Sequence, residues 1–293
     1  MKEGAIELDG LAGGCALTAT LESGQSYLWS RSDEGMYREP PDNGTWYELT
    51  HEDGFVRVRN RDGRLEWEGT GDPEGVLADR LRLDDDLPAI YETVPDDPLL
   101  RAAIEYVPGM RLVRDPPFAC LISFICSAQM RVERIHGMQR ALTEAYGTPV
   151  PGADTKAFPR PENLAAASEG ELRELGLGYR APYVLETARM VADGTDPAAA
   201  AELPYEEARS YLTQFSGVGE KVADCVLLFS LDHLEAVPLD TWIRKSIELA
   251  FPSCARDSYA DTSAAIRDQL GGAYAGYAQT YLFHYLRTSD DPW

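Results

Sequence analysis

Residues 212–251 read LTQFSGVGEKVADCVLLFSLDHLEAVPLDTWIRKSIELAF and decide the fold of this chain. The segment Gly217-Val218-Gly219 separates two segments with helical apolar periodicity. Two glycines placed two residues apart let the backbone turn sharply and point its amides outward. Such amides, together with the positive end of the next helix, bind anions. We therefore predict a helix-hairpin-helix at about residues 205–232 that holds a DNA phosphate, although a plain connection between helices fits the same glycines equally well.

Two charged residues follow this turn. Lys221 lies near the start of an apolar helix, where burial and the helix dipole both disfavour a charged lysine. The lysine either extends its ammonium group to solvent or becomes a neutral nucleophile, and the residues alone favour the first alternative. Asp240 precedes Thr241-Trp242-Ile243 as a good N-cap, a position that would also fix a catalytic carboxylate.

The charge balance restricts the environment of the protein. The 293-residue chain has 44% hydrophobic residues, a net charge of −22, four lysines and 23 arginines. An acidic surface argues against a nucleic-acid partner, and composition alone favours a protein without one. Scarce lysine and a pI near 4.5 are typical of a halophilic protein from a salt-filled cytoplasm. At ~1 M salt the Debye length is about 3 Å, so DNA binding would depend on short-range contacts.

Cysteine usage and the amino terminus point to the cytoplasm. The five cysteines form no C-x-x-C pair, which indicates reduced thiols rather than disulfides or a zinc site. The first residues do not form a signal peptide, and the apolar runs are too short to span a bilayer. We predict a cytoplasmic protein without a membrane partner.

Periodicity along the chain changes from strand to helix. Alternation predicts strands at residues 16–21, 46–49 and 55–59, separated by Gly- and Asp-rich turns. Helices are predicted from residue 73 onward, with a break at 84–86; the later ones cover 118–146, 161–175, 183–192, 204–215, 262–270 and a last helix to about 286. We predict an α+β fold in which an N-terminal antiparallel β-sheet domain, residues 1–108, packs on a mostly α-helical, two-lobed domain, residues 109–293.

Five blocks of the sequence occur in the order typical of one enzyme family. The hairpin with its lysine and aspartate resembles the helix-hairpin-helix superfamily of base-excision DNA glycosylases, and the whole set resembles the 8-oxoguanine DNA glycosylases. The other four blocks are S-G-Q-S-Y-L-W at 23–29, S-F-I-C-S at 123–127, L-G-Y-R-A at 177–181 and A-G-Y-A-Q at 275–279. With the composition, this resemblance predicts a haloarchaeal source.

The resemblance implies a role for each residue at the reacting base. Lys221 would attack C1′ of the damaged nucleotide, and Asp240 would stabilise the developing charge. The Gly24 carbonyl would accept the proton that only oxidised guanine carries at N7. The remaining pocket residues would hydrogen-bond the base, stack on it and lie beside the lysine, and they are Gln279, Phe283 and Cys225, respectively.

The resemblance also implies contacts to the DNA. Gly217, Val218 and Gly219 would bind a phosphate, and Tyr179 would wedge into the stack that the flipped base leaves. Arg134 and Arg180 would read the cytosine opposite the lesion. Gln129 stands where the family has an asparagine that contacts this cytosine, which puts the opposite-base preference in doubt. Trp242 stands where the eukaryotic enzymes have histidine, so a phosphate contact is lost or replaced there.

These residues predict a bifunctional DNA glycosylase/AP lyase that excises 8-oxoguanine from double-stranded DNA, as a monomer, through a lysine Schiff base. The cysteine quartet of the iron–sulfur branch is absent, so no cluster is expected, and the chemistry needs no metal. A monovalent cation at the hairpin fits the family. Two alternatives stay open: a glycosylase of the same fold for another base such as alkylated purines, and a helix-hairpin-helix DNA-binding protein without activity.

Overall fold

A computed structural model describes residues 1–290 and confirms the α+β fold. A five-stranded antiparallel sheet has the strand order β1-β5-β4-β3-β2. Its strands are β1 Lys2–Glu7, β2 Ser30–Arg31, β3 Tyr47–His51, β4 Gly54–Arg61 and β5 Arg64–Gly69. Asp62 and Gly63 join β4 to β5 with φ of 50° and 77°, which is the left-handed pair that a two-residue hairpin turn requires. The strands predicted at 46–49 and 55–59 correspond to β3 and β4 of this sheet.

The strand predicted at residues 16–21 is wrong. Leu17–Glu22 form a helix, α1, and bury Leu17, Thr20 and Leu21. These positions are spaced i, i+3 and i+4, so the short apolar pattern fits one face of a helix as well as alternate positions of a strand. The helix leads into the corner at residues 23–29.

Three aspartates start the helices that follow the sheet. Asp72, Asp86 and Asp97 each cap a helix by accepting backbone N–H groups, and a proline stands in the first turn of each helix. This combination is a strong helix start, because proline has no N–H to leave unpaired there. The helices are α2 Pro73–Arg80, α3 Leu87–Thr93 and α4 Pro98–Tyr106. The predicted break at residues 84–86 is thus confirmed.

Two long helices predicted from the sequence are each interrupted. The helix predicted at 118–146 is α5 Pro117–Cys126 and α6 Val132–Tyr146, separated by a loop at residues 127–131. Gln129 has a φ of 53° in this loop and cannot continue a helix. The helix predicted at 161–175 is α7 Pro161–Ala165 and α8 Glu169–Leu172, with a capping box at Ser168 starting the second. Between α6 and α7, the short strands β6 Thr148–Pro149 and β7 Lys156–Ala157 pair with each other.

The remaining helices form the rest of the two lobes. They are α9 Ala181–Ala192, α10 Tyr205–Leu212, α11 Glu220–Ser230, α12 Thr241–Leu249, α13 Tyr259–Gln269 and α14 Ala275–Thr288. One apolar cluster lies beneath the sheet, a second joins α5 to α11, and a third joins α12 to α14 with Leu100 of α4. The boundary at residues 108/109 stays a prediction. Across residues 1–290 the helices are too short or too polar to cross a membrane.

Candidate active site

The turn between α10 and α11 is held against α9. Gly217 has a φ of 80°, and a Cβ at this position would lie 2.7 Å from the Cβ of Tyr183. Any other residue would meet both backbone strain and a collision there. The Thr187 hydroxyl donates to the Ser216 carbonyl at 3.0 Å. Gly217 is therefore required by the fold itself.

Gly219 differs from Gly217. Its φ of −99° suits any residue, and a Cβ there would meet nothing within 4 Å. It is exposed and caps α11, whose first backbone N–H groups have no partner within the helix. Val218 between the two glycines is buried. The hairpin thus presents an open backbone surface and the positive end of a helix at one place.

Lys221 lies in the first turn of α11 and is half-buried. Its Nζ atom lies 3.5 Å from the Ser127 hydroxyl oxygen, in the loop between α5 and α6. It also lies 5.5 Å from the centre of the Phe124 ring, which stacks on Phe229. The lysine therefore does not extend freely into solvent: its ammonium group is held between a hydroxyl and an aromatic face.

Asp240 is the N-cap of α12, as predicted from the sequence. Its carboxylate accepts the Trp242 N–H at 2.9 Å and the Ile243 N–H at 2.8 Å. Burial raises the pKa of Asp240, while the Ile243 N–H and the charge of Lys221 act in the opposite direction. The aspartate and Lys221 therefore interact electrostatically. Trp242 is half-buried against the third apolar cluster.

Cys225 lies one turn after Lys221 and is buried. Burial raises the pKa of its thiol to about 11, although the charge of Lys221 partly offsets this effect. The thiol is therefore protonated at neutral pH and offers the pocket a small, polarisable surface.

The corner at Gly24 is fixed by the residue that follows it. The Gln25 side chain donates to the Arg111 carbonyl at 3.0 Å and accepts the Val113 N–H at 3.1 Å. Gly24 has a φ of 96°, and a Cβ there would lie 3.1 Å from Val132. The corner is thus attached to the helical part of the chain, and its glycine lies in a confined position.

Helix α14 contributes three side chains spaced by four residues. Gln279 is buried, and its side-chain amide oxygen Oε1 accepts the Thr280 hydroxyl at 3.2 Å. Phe283 is half-buried one turn later. Arg287, another turn on, lies over the Phe283 ring with 5.3 Å between the guanidinium carbon and the ring centre. One helix face therefore presents an amide, a ring and a guanidinium group in a row.

The loop at residues 127–131 brings the predicted DNA contacts together. The Ala128 carbonyl accepts both the Arg180 guanidinium group and, at 3.4 Å, the Tyr179 hydroxyl. The Tyr179 ring is 53% exposed and covers the guanidinium group at 4.3 Å. Arg180 is itself buried, so in this structure it supports the loop that presents Gln129. Arg134 and Gln129 are exposed beside it.

A buried carboxyl group connects two of the elements that form the site. Asp224 of α11 accepts the hydroxyls of Tyr205 and Tyr259, each at 2.7 Å. The Tyr259 hydroxyl also accepts the Leu239 N–H at 3.1 Å, directly before Asp240. Burial raises the pKa of Asp224 to about 7, and the two tyrosine hydroxyls oppose this change. These contacts connect the helix of Lys221 to the loop of Asp240.

The structure thus brings Lys221, Asp240 and Cys225 together with the corner and α14. The charge of Arg287 acts on Asp240, and Cys225 and Asp240 act on the Tyr27 hydroxyl. The sequence interpretation gave no individual role to Ser127 and Tyr27, which lie in the blocks at 123–127 and 23–29, and it did not single out Arg287. Arg287 could have been found from the sequence, because it lies eight residues after Gln279 and therefore on the same face of the helix.

Within residues 1–290, no cluster of three or more His, Cys, Asp or Glu side chains could hold a metal ion. The five cysteines are all free and buried. A cavity of about 940 Å³ lies between the sheet and α6, and Tyr27 of the corner lines it.

Comparisons with known proteins agree with this geometry. Residues 122–270 match the HhH-GPD superfamily base excision DNA repair proteins, and residues 12–121 match the N-terminal domain of 8-oxoguanine DNA glycosylase. A probable N-glycosylase/DNA lyase of Methanothermobacter thermautotrophicus is 32% identical over 87% of this chain and 91% of its own length.

Two solved structures are similar over nearly the whole chain. MBOgg1 in complex with a low-affinity DNA ligand is 28% identical, with a TM-score of 0.84 over 99% of this chain and 100% of that one. The Clostridium acetobutylicum 8-oxoguanine glycosylase/lyase, in complex with DNA containing cytosine opposite 8-oxoguanine, is 27% identical. Its TM-score is 0.81 over 94% of this chain and 93% of that one. The chain belongs to the HhH-GPD superfamily of base excision DNA repair proteins, in the branch that carries the N-terminal domain of the 8-oxoguanine DNA glycosylases.

Proposed function

We propose that this protein is a bifunctional DNA glycosylase/AP lyase that excises 8-oxoguanine from double-stranded DNA in base excision repair. The observation that carries the proposal is the position of Lys221. Its amine lies 3.5 Å from Ser127, within the electrostatic reach of Asp240 and Cys225, in the first turn of the helix that follows the hairpin. A nucleophile at this place can reach C1′ only when the nucleotide has been flipped out of the duplex.

In the proposed reaction Lys221 first gives up its ammonium proton, and its amine then attacks C1′ while the bond from C1′ to the base breaks. The base leaves with the electron pair and takes up a proton. Asp240 stabilises the positive charge that develops on the sugar, since its carboxylate is fixed by two backbone N–H groups. Opening of the sugar ring gives a Schiff base between Nζ and C1′. Loss of a proton from C2′ then forms a double bond between C2′ and C3′ and breaks the C3′–O bond, and the 3′ phosphate leaves.

The lesion would be recognised at the corner and on α14. The Gly24 carbonyl accepts the N7–H of 8-oxoguanine, whereas normal guanine would present an acceptor to this acceptor. Gln279 hydrogen-bonds the base, Phe283 stacks on it and Cys225 lies against it. These roles are supported by the resemblance of the motifs and by the shared helix face of Gln279 and Phe283.

The DNA would lie across the hairpin and the loop at residues 127–131. Gly217, Val218 and Gly219 would hold a phosphate, and the hairpin carbonyls would hold a monovalent cation that supplies positive charge for it. The exposed Tyr179 ring fills the space left by the flipped base. The base opposite is then read by Gln129, Arg134 and Arg180, the last after release from Ala128. We further propose a monomer, with domains at 1–108 and 109–293, acting in the salt-rich cytoplasm of a haloarchaeon without a catalytic metal or an iron–sulfur cluster.

Borohydride trapping on duplex DNA with 8-oxoguanine opposite cytosine tests the proposal. We expect a covalent adduct with the wild type and none with Lys221→Gln. An adduct only on alkylated purines would support the same fold acting on another base, and binding without an adduct would support a DNA-binding protein. An adduct that persists in Lys221→Gln would contradict the assignment of the nucleophile.

A further inference from the structure

Arg287 is anchored at the edge of the proposed base pocket. Its Nη2 atom donates to the Glu22 carbonyl at 2.9 Å, directly before the corner that contains Gly24. Its guanidinium plane lies over Phe283, the proposed stacking residue. Two contacts therefore fix the guanidinium group, and both lie next to residues assigned to the base.

The other terminal nitrogen of Arg287 is unsatisfied. Within residues 1–290, Nη1 is shielded from solvent and has no hydrogen-bond partner. A guanidinium N–H is an obligatory donor, and leaving it buried and unpaired is unfavourable. The rigid support from Glu22 and Phe283 keeps this donor in place. An acceptor that enters the pocket would relieve the cost.

The unpaired nitrogen lies near Gly24. The position of a Cβ on Gly24 would lie 3.6 Å from Nη1 of Arg287 and 3.5 Å from the Tyr27 hydroxyl oxygen. The charge of Arg287 also acts directly on Tyr27 and Asp240. Nη1 of Arg287 thus lies close to Gly24, the residue whose carbonyl is proposed to accept the N7–H, and its charge reaches Asp240.

The chemistry of the base identifies an acceptor at this place. In 8-oxoguanine the N7–H group stands between two carbonyl oxygens, O6 and O8. A base whose N7–H reaches Gly24 therefore brings one of these oxygens to a donor beside Gly24. We infer that Nη1 of Arg287 donates a hydrogen bond to a carbonyl oxygen flanking N7 of the flipped base, which makes Arg287 a specificity-determining residue. This inference rests on the proposed function.

The experiment separates recognition of the base from the chemistry of the lysine. Single-turnover base release is measured on duplexes with 8-oxoguanine or 8-oxoadenine, and strand cleavage on an otherwise identical duplex with an abasic site. An abasic site carries no base, so a base contact cannot contribute to its cleavage. We expect Arg287→Leu to release 8-oxoguanine about tenfold to a hundredfold more slowly while cleaving the abasic site at the wild-type rate.

The two oxidised bases distinguish the acceptor atoms. Equal loss on 8-oxoguanine and 8-oxoadenine would identify O8, which both bases carry, whereas loss confined to 8-oxoguanine would identify O6. Arg287→Lys keeps the charge without the planar fork and should recover only part of the rate. Arg173→Leu, which removes an exposed arginine paired with Glu169, is the matched control and should behave as wild type on every duplex.

Two results would contradict the inference. An equal loss of base release and abasic-site cleavage in Arg287→Leu would mean that the arginine only supports the corner through Glu22. Wild-type release of 8-oxoguanine by Arg287→Leu would exclude a contact to the base. Failure of the wild type to release 8-oxoguanine would instead contradict the proposed function and this inference together.

Discussion

The Nζ atom of Lys221 lies 3.5 Å from the Oγ atom of Ser127, whose hydroxyl donates to the Phe124 carbonyl at 2.7 Å. Because the Ser127 hydroxyl donates its own proton to Phe124, the lone pairs of its oxygen can accept a hydrogen bond from Lys221. We expect Ser127→Ala to slow formation of the borohydride-trapped adduct about threefold to tenfold with unchanged DNA affinity, because one positioning hydrogen bond is lost. Ser230→Ala removes a hydroxyl elsewhere on α11 and should leave the trapping rate at the wild-type value.

Asp240 combines a structural and a chemical role that substitution can separate. Asparagine caps a helix as well as aspartate, so Asp240→Asn should change the free energy of unfolding by less than about 0.5 kcal/mol. Base release should fall at least about a hundredfold, since the negative charge is lost. Asp97→Ala removes the equivalent cap of α4 and should cost about 1 kcal/mol of stability without affecting base release. Wild-type release by Asp240→Asn would show that its charge is dispensable.

The two hairpin glycines should respond differently to alanine. Gly217→Ala combines a left-handed φ with a collision against Tyr183, and we expect it to lose at least about 2 kcal/mol of stability. Gly219→Ala meets no neighbour within 4 Å and should cost less than about 1 kcal/mol. Its methyl group would instead stand between the backbone and a phosphate. We expect about tenfold weaker DNA binding at fixed salt; unchanged affinity would place the phosphate elsewhere.

Asp224 should make stability depend on pH. Burial raises its pKa to about 7 in the folded protein, against roughly 3.9 in an unfolded chain. The folded protein therefore holds the proton more tightly, and this stabilisation is complete below about pH 4 and is lost as the pH rises through 7. The group contributes a slope of up to about 1.4 kcal/mol per pH unit in that window. Chemical unfolding of Asp224→Asn should lack this contribution.

Asp115 provides the internal comparison for this measurement. Burial raises its pKa to about 6, so it gives a slope of the same sign in both proteins. The difference between wild type and Asp224→Asn isolates Asp224. Identical slopes in the two proteins would show that Asp224 titrates in the folded state as it does in the unfolded one.

The sequence predicted the parts of the fold that depend on local chemistry. Asp240 was recognised as a cap and Gly217 as a turn residue because each effect acts within three or four residues. The helix α1 was mistaken for a strand, since six residues are too few to separate the two periods. The sequence does not predict the break after α5, because residues 127–131 contain neither glycine nor proline and Gln129 has a positive φ that a glutamine rarely adopts.

The same distinction between local and long-range effects applies to the candidate site. The motifs identify Lys221, Asp240 and Gly24 as candidate site residues. The contact between Ser127 and Lys221, in contrast, joins residues that lie 94 positions apart in the chain. Such a contact is created by the packing of α5 against α11, and no local pattern encodes it. The sequence pattern also cannot predict whether Arg180 is available to contact the base opposite the lesion. Its burial against Ala128 depends on the tertiary structure.

The hydrogen bond from Arg287 to the Glu22 carbonyl spans 265 positions. One side of the proposed pocket comes from the corner after α1 and another from α14, so the pocket closes only when residues near both ends of the described chain meet. A growing polypeptide folds from its amino terminus as it is synthesised. The hairpin and its lysine can therefore form on the ribosome while the surface that would recognise a base is still incomplete, and that surface is finished only after α14 has emerged.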